Sequence, residues 1–190
     1  MLAGGASRRM GTDKALLEVD GVALARRAAR ALAAGGAGEV VLVGASAAVG
    51  DRMAMDVVPD DRPGEGPLAG LATALRWASG RGGAEVLLVA ACDQPDLEPA
   101  LLAELVRRVD AATVAGAVPR TPTGVATRSR GLAGRCGRGA GAAGGRRGRR
   151  MADAMALDVE AVDAAAPTLL DLDDPDDLAR RLDRSWSRPP

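Results

Sequence analysis

The apolar positions of this chain change period along its length. Short apolar runs sit within Glu39–Val43, Asp56–Pro59, Glu85–Ala90 and Thr113–Val118. Runs of that length, bounded by polar and glycine-rich stretches, predict strands buried on both faces, as in a parallel sheet. Between them apolar residues recur every three or four positions. Val22–Ala34 places Ala25, Ala28, Ala29 and Leu32 on one helical face, and Gly35-Gly36 ends it. Leu68–Ser79 carries Leu71, Leu75 and Ala78 inward, and Pro99–Val109 predicts another helix. Asp20-Gly21 predicts a turn ahead of the first helix. Strand and helix thus alternate over the first 118 residues. That order predicts an α/β fold in one domain over 1–190, a three-layer α/β/α arrangement on a mostly parallel sheet. Ligands of such sheets bind beyond the carboxyl ends of the strands. The stretches 4–14 and 44–46, together with Asp60 and Asp93, all fall at predicted strand ends. Four separate segments therefore converge on one edge.

Residues 120–150 break the pattern. They hold nine Arg, nine Gly and no acidic residue, with only Val125 and Leu132 as large apolar residues. With no period of 2 or 3.6 and little to bury, this stretch predicts a mobile or loosely coiled segment where the fold should supply more strand and helix. A basic loop for an anionic acceptor would give this composition. So would a local shift of reading frame in a gene rich in G and C. Further on, Met151–Leu157 predicts a short helix, Val159–Val162 a strand and Thr168–Asp171 a strand end. Asp174 is placed as an N-cap, with Pro175 opening a last helix over Pro175–Leu182. At the other end, only Met1-Leu2-Ala3 precede the first glycine loop. So short a first strand predicts either a start further upstream or a truncated strand.

Composition narrows the chemistry. The chain has 190 residues and no Phe, Tyr or His, with Trp only at Trp77 and Trp186. The core must then be aliphatic, and the usual general base and commonest metal ligand are missing. Formal net charge is zero, which gives no global field favouring nucleic acid. The nine arginines of 120–150 make that segment +9, so the remainder is −9. Cys92 and Cys136 form no CxxC pair, a usage that fits a reducing compartment. No apolar run approaches the ~20 residues of a membrane span, and the N-terminus lacks a signal-peptide plan. A cytoplasmic protein, acting as a monomer, is the expectation.

The strongest chemical signal is Leu2-Ala3-Gly4-Gly5-Ala6-Ser7-Arg8-Arg9-Met10-Gly11-Thr12-Asp13-Lys14. Gly4, Gly5 and Gly11 allow tight turns and close approach to a ligand. Successive N–H groups in such turns form an anion nest, and Arg8, Arg9 and Lys14 add positive charge. The spacing is neither GxGxxG nor a Walker A loop. Lys14 is suited to neutralise a triphosphate, and Met10 is expected in the core. Asp93, at the end of the best strand, suits Mg²⁺, which takes one or two carboxylates plus substrate phosphates and water. The alternative role is a cap for the helix that follows. Asp60 could accept both N–H donors of guanine's Watson–Crick edge, or cap the turn Asp61–Gly64. Gly66-Pro67-Leu68-Ala69-Gly70 could bring a helix N-terminus close to a ligand, or be plain turn-then-helix punctuation.

The pattern LAGGxSxRMGxDK, with Gly66–Gly70 and Cys92-Asp93-Gln94-Pro95, resembles the molybdenum cofactor guanylyltransferases. These belong to the nucleotidyltransferases of Rossmann-like fold. The resemblance spans residues 2–118, fails between about 120 and 150, and returns weakly at 168–182. It implies a Rossmann-like nucleotidyltransferase fold that binds nucleotide through Leu2, Ala3, Gly4, Gly5, Ser7, Arg9, Gly11, Lys14, Asp60, Gly66 and Asp93. It implies that Asp60 contacts guanine, that Asp93 holds Mg²⁺, and that Lys14 and Asp93 are catalytic. At 44–46, where the family usually has Asn, this chain has Gly44 and Ala45. The implied reaction moves GMP from GTP to the terminal phosphate of a molybdopterin-type acceptor. That phosphate is already ionised near neutral pH, so no general base is needed and catalysis is positioning plus charge neutralisation. Other readings are a cytidylyltransferase, a nucleotidyltransferase with another phosphorylated acceptor, and a non-catalytic relic of the fold. A nucleic-acid binder using 120–150 is disfavoured, because the tract has no aromatic residue to stack on bases.

Overall fold

The computed structural model describes residues 1–4, 13–81, 86–111, 114, 116–121, 124–125, 132–135, 159–164, 171–172, 176–177 and 179–181. Gly5, Ser7, Arg8, Arg9, Met10 and Gly11 lie outside them, as does the helix expected at Met151–Leu157. In chain order the elements are β1 (Glu18–Val19), β2 (Val22–Ala23), α1 (Leu24–Ala34), β3 (Leu42–Val43), α2 (Ala47–Met53), β4 (Val57–Val58) and α3 (Pro67–Gly80). They continue with β5 (Val86–Val89), α4 (Pro99–Ala111), β6 (Gly116–Thr121), β7 (Gly124–Val125), β8 (Leu132–Arg135) and β9 (Val159–Asp163). Parts of a last helix follow at 176–177 and 179–181.

Leu2 stands at the middle of the sheet. It bridges Val43 on one side and Ala91 on the other, both in parallel, and so joins β3 to β5. The bonds Leu2 N to Ala90 O (2.8 Å), Ala3 N to Val43 O (2.9 Å) and Cys92 N to Leu2 O (3.0 Å) fix that register. β4 lies outside β3, parallel to it. Beyond β5 come β8, antiparallel to it, then β6, antiparallel to β8, and β9, parallel to β6. The order is β4, β3, Leu2, β5, β8, β6, β9, with β7 folded back on the end of β6. Among the described residues of this sheet, β8 and the short β7 oppose the common direction, so the mostly parallel α/β sheet expected from the alternation is what forms.

Alternate residues face opposite layers, as a pleated strand requires. Leu2, Val41, Val43 and Val89 pack with Leu71 and Ala74 of α3. Met1, Ala3, Leu42 and Ala90 pack on the other face with Ala25, Ala28 and Leu32 of α1 and with Leu102, Leu105 and Val109 of α4. Trp77 of α3 packs at the margin of the Leu71 cluster, and the buried core closes through small alanine faces and branched side chains. Among the described residues, no helix is long and apolar enough to cross a membrane.

Several elements depart from the sequence expectation. Asp20 and Gly21 both have positive φ, 53° and 71°, the mirror-image turn that matches hairpin twist. That turn commits Val22 and Ala23 to pairing with Glu18 and Val19, so α1 starts at Leu24 rather than Val22. β3 contracts to Leu42–Val43, and β6 is described over Gly116–Thr121, Thr113 lying outside the described residues. The stretch 120–150 was expected to supply no regular structure. That expectation is corrected at three places: β6 runs through Arg120 and Thr121, Gly124–Val125 forms β7, and Leu132–Arg135 forms β8 between β5 and β6. A strand with neighbours on both sides is held by main-chain pairing, which needs no apolar run of its own. Ala133 pairs with both Leu88 and Ala117, and Gly134 with both Leu87 and Gly116. The charge of the tract is also answered in part, since Arg120 forms an ion pair with Asp163 of β9 at 2.8 Å.

Candidate active site

A cavity of about 460 Å³ opens at the carboxyl ends of the central strands. Leu2, Ala3, Gly4, Asp13, Lys14, Asp60, Gly66 and Asp93 all line it. Gly4 leaves the middle strand beside Gly44, which follows β3. A Cβ on Gly4 would stand 3.0 Å from Gly44 O. A Cβ on Gly44 would stand 3.1 Å from Gly4 Cα, at a φ of +79° that L side chains rarely adopt. The two backbones pass so closely that each position needs glycine.

One wall carries the charged pair. Asp13 Oδ1 accepts from Ala15 N at 3.0 Å, capping the short 3₁₀ turn Lys14–Leu16. Ala15 is fully buried, and the turn so anchored projects Lys14 into the cavity. Its Nζ lies 3.4 Å from Asp93 Oδ2, with each side chain about one-fifth exposed (19% and 20%). Asp93 follows Cys92, whose N–H makes the last sheet bond to Leu2 O. Asp93 O in turn accepts from Leu172 N at 3.0 Å, so the C-terminal chain holds the loop from behind. Burial pushes the Cys92 thiol up to about 12, helped by the Asp93 and Asp13 carboxylates and opposed by Lys14. Cys92 is therefore a neutral piece of wall and no nucleophile.

The opposite wall is built by β4 and α3. Asp60 Oδ1 accepts from Thr73 Oγ1 and from Arg62 N, both at 3.1 Å. Thr73, 3% exposed, also accepts from Asp61 N at 3.2 Å. Asp60 thus does two things at once, closing its own turn and facing the cavity. Gly66 caps α3 with φ +89°, and Pro67 opens the helix, placing the positive end of the helix dipole at the cavity.

These donors fit a hard divalent cation. Asp13 and Asp93 are carboxylates in one cavity, the oxygen chemistry Mg²⁺ or Mn²⁺ prefers. Among the described residues no three His, Cys, Asp or Glu side chains are grouped to hold a metal. The remaining ligands would come from phosphate oxygens and water, as is usual for Mg²⁺ beside a nucleotide.

The structure brings together Leu2, Ala3, Gly4, Lys14, Asp60, Gly66 and Asp93 of the residues expected from sequence. Gly5, Ser7, Arg9 and Gly11 lie outside the described residues. Ser46 does not line the cavity; its Oγ caps α2 by accepting from Val49 N at 3.3 Å. Asp13, Gly64 and Thr73 were not singled out from the sequence. The first stands two residues before Ala15, a spacing that signals a side-chain-to-backbone turn. Thr73 is a polar residue on the inward stripe of a helix, where a hydroxyl must find a partner.

Comparison with known proteins identifies the family. A family profile described as the MobA-like NTP transferase domain matches residues 1–161. The "Probable molybdenum cofactor guanylyltransferase" of Opitutus terrae is 43% identical over 107 residues, covering 56% of this chain and 52% of that protein. The molybdenum cofactor guanylyltransferase of Rhodobacter capsulatus is 43% identical over 121 residues, covering 62% of this chain and 59% of that protein. The chain thus spans between half and three-fifths of the length of these curated relatives. Among solved structures, Rv0371c from Mycobacterium tuberculosis superposes with a TM-score of 0.71 at 26% identity, covering 96% of this chain and 95% of that one. The same protein in complex with manganese gives 0.65 at 24% identity, covering 96% and 95%. The molybdopterin-guanine dinucleotide biosynthesis protein A of Archaeoglobus fulgidus gives 0.73 at 19% identity, covering 98% and 97%.

Proposed function

Because the chain belongs to the MobA-like NTP transferase domain family, we propose that it is a cytoplasmic guanylyltransferase moving GMP from GTP to the terminal phosphate of a molybdopterin-type acceptor. The observation that carries this reading is the placing of Lys14 and Asp93 on one wall of a cavity and Asp60 on the other. A triphosphate fits the first wall and a base the second. Both curated relatives named above support the same substrate pair.

Gly4 presents its backbone to the phosphates, and the N-terminus of α3 adds its positive dipole end to the cavity from the side of Asp60. Lys14 neutralises charge on the triphosphate and then on departing pyrophosphate. Asp93, with Asp13 in the same cavity, would hold Mg²⁺; that the mycobacterial neighbour forms a complex with manganese supports a divalent ion. Bound, the cation supplies charge neutralisation across the phosphates and orientation of the α-phosphate. The acceptor phosphate attacks that phosphorus, and pyrophosphate leaves. No histidine is needed, because the attacking oxygen carries no proton to remove. Asp60 is an acceptor-only group. Guanine offers it N1–H and the 2-amino group side by side, whereas cytosine and adenine offer one amino group beside a ring acceptor.

The test is titration of GTP and CTP in the presence of Mg²⁺, followed by pyrophosphate release with molybdopterin. Preference for GTP with acceptor-dependent release is expected. Equal affinity for CTP, or release that ignores the acceptor, would overturn the reading.

A further inference from the structure

Thr73 is buried on α3, is not among the residues that line the cavity, and reaches the lining residue Asp60 through its hydroxyl. Its hydroxyl accepts from Asp61 N at 3.2 Å and donates to Asp60 Oδ1 at 3.1 Å. A hydroxyl has one proton. With Asp61 N–H occupying its acceptor side, that proton is committed to Asp60. Arg62 N donates to the same oxygen at 3.1 Å. Two donors therefore come to Oδ1 from inside the protein, while Oδ2 takes no hydrogen bond among the described residues.

We infer that Thr73 is a positioning residue for purine selection: it locks the Asp60 carboxylate so that Oδ2 faces the base. This rests on the reading of Asp60 as the guanine contact. Two donors at Oδ1 hold that oxygen toward the protein and oppose turning of the carboxylate about χ2. Oδ2 retains room for two donors, and guanine presents two adjacent N–H groups on one edge. A base lacking the 2-amino group fills only half of that capacity. Discrimination by one such contact at a partly desolvated carboxylate is worth about tenfold or more, because hydrogen bonds to charged groups are stronger than those between neutral ones. Without the threonine proton the carboxylate can rotate, and the two oxygens lose their separate roles. The 2-amino group then ceases to matter as much.

The experiment measures dissociation constants for GTP and ITP with Mg²⁺, by calorimetry, for the wild type, Thr73→Val and Thr73→Ser. ITP is GTP without the 2-amino group, and binding needs no acceptor. The wild type should prefer GTP about tenfold. Thr73→Val keeps shape and loses the hydroxyl, and its preference should fall to about two- or threefold through weaker GTP binding. Thr73→Ser restores the proton and should restore the preference. Should the valine variant not fold, Thr73→Ala is read in the same way. A folded variant without the hydroxyl that keeps the wild-type GTP:ITP ratio overturns the inference alone. A serine variant with no recovered preference does so too. A wild type that binds GTP and ITP equally overturns the reading of Asp60, and this inference with it.

Discussion

Lys14 Nζ lies 3.4 Å from Asp93 Oδ2, joining the glycine loop after the first strand to the end of β5. Each side chain is about one-fifth exposed, so solvent screens the pair and its contribution to stability is about 1 kcal/mol or less. Its value lies in placement. One ammonium and one carboxylate meet in a cavity where a triphosphate and its cation would need both.

Asp93→Asn should therefore abolish transfer and leave the fold intact. The amide keeps the volume and loses the charge that would hold the cation. Loss of that charge stabilisation is worth several kcal/mol, which lowers the rate by about a hundredfold or more. Pyrophosphate release at saturating Mg²⁺ reads the effect, and circular dichroism checks the fold. Turnover like that of the wild type would remove Asp93 from the mechanism.

Lys14→Ala should weaken GTP more than GMP. The 3₁₀ turn sets Lys14 beside Asp93, where β- and γ-phosphates would stand, and GMP lacks both. A loss of about tenfold for GTP and about twofold for GMP is expected from one charge-assisted contact. Equal losses for the two nucleotides would make Lys14 a general surface charge.

Much of this site is readable from sequence because strand ends are. Apolar runs that stop at Leu2, Val43, Val58 and Val89 put the residues after them on one edge, whatever the details of the helices. Gly4, Asp60 and Asp93 were placed that way. What could not be read depends on partners distant in the chain. Leu132-Ala133-Gly134-Arg135 has no strand signal, and it becomes β8 only because β5 and β6 flank it. Val22 carries the helical period, yet the positive φ angles of Asp20 and Gly21 draw it into a hairpin. Thr73 looks like any small residue on a helix until Asp60 and Asp61 arrive beside its hydroxyl. Periodicity places elements, and hydrogen bonds between elements choose the working rotamers.

Gly44→Ala should lower stability and nucleotide affinity together. The new Cβ would meet Gly4 Cα at 3.1 Å and sit at φ +79°. Left-handed backbone costs a non-glycine residue about 1–2 kcal/mol, and a backbone contact cannot be relieved by rotating a side chain. Thermal unfolding and GTP titration measure the two effects. A variant as stable and as tight-binding as the wild type would show that the Gly4–Gly44 approach is not a constraint.

Cys92 should resist alkylation in the folded protein. Its thiol is pushed from 9.0 up to about 12, chiefly by burial. The folded protein keeps the proton where the unfolded chain releases it. The stability linked to this group is thus fully present below pH 9.0 and is lost as pH rises toward 12. Peptide mapping after iodoacetamide treatment at about pH 8 should show Cys92 modified in urea and unmodified without it. Cys92→Ala should flatten the alkaline decline of stability. Rapid labelling of native Cys92 would contradict the buried, neutral thiol.

The loop behind Asp93 is held by charges from both ends of the chain. Arg181 reaches both oxygens of Asp96, at 2.6 and 2.7 Å. That bidentate bond raises the affinity of Arg181 for its proton. Arg27 donates to Pro95 O at 3.0 Å and lies 3.8 Å from Asp96 and 3.6 Å from Asp20. Arg181 is the more enclosed arginine, at 15% exposure against 23% for Arg27. Its removal leaves Asp96, among the described residues, with Arg27 at 3.8 Å as its remaining ion-pair partner. Arg181→Gln should destabilise the protein by about 1–2 kcal/mol, the range for a partly enclosed charge-assisted pair. Asp93 lies three residues from Asp96 on the same loop. If that loop loosens, the carboxylate is no longer held ready, and about tenfold more Mg²⁺ should be needed for half-maximal transfer, the low end of what losing a contact that supports a metal ligand costs. Arg181→Lys keeps the charge without the planar fork and should recover only part of the metal response. A lowered melting temperature with an unchanged Mg²⁺ titration would confine Arg181 to holding the fold. A shifted titration that lysine partly restores would make it a support for Asp93.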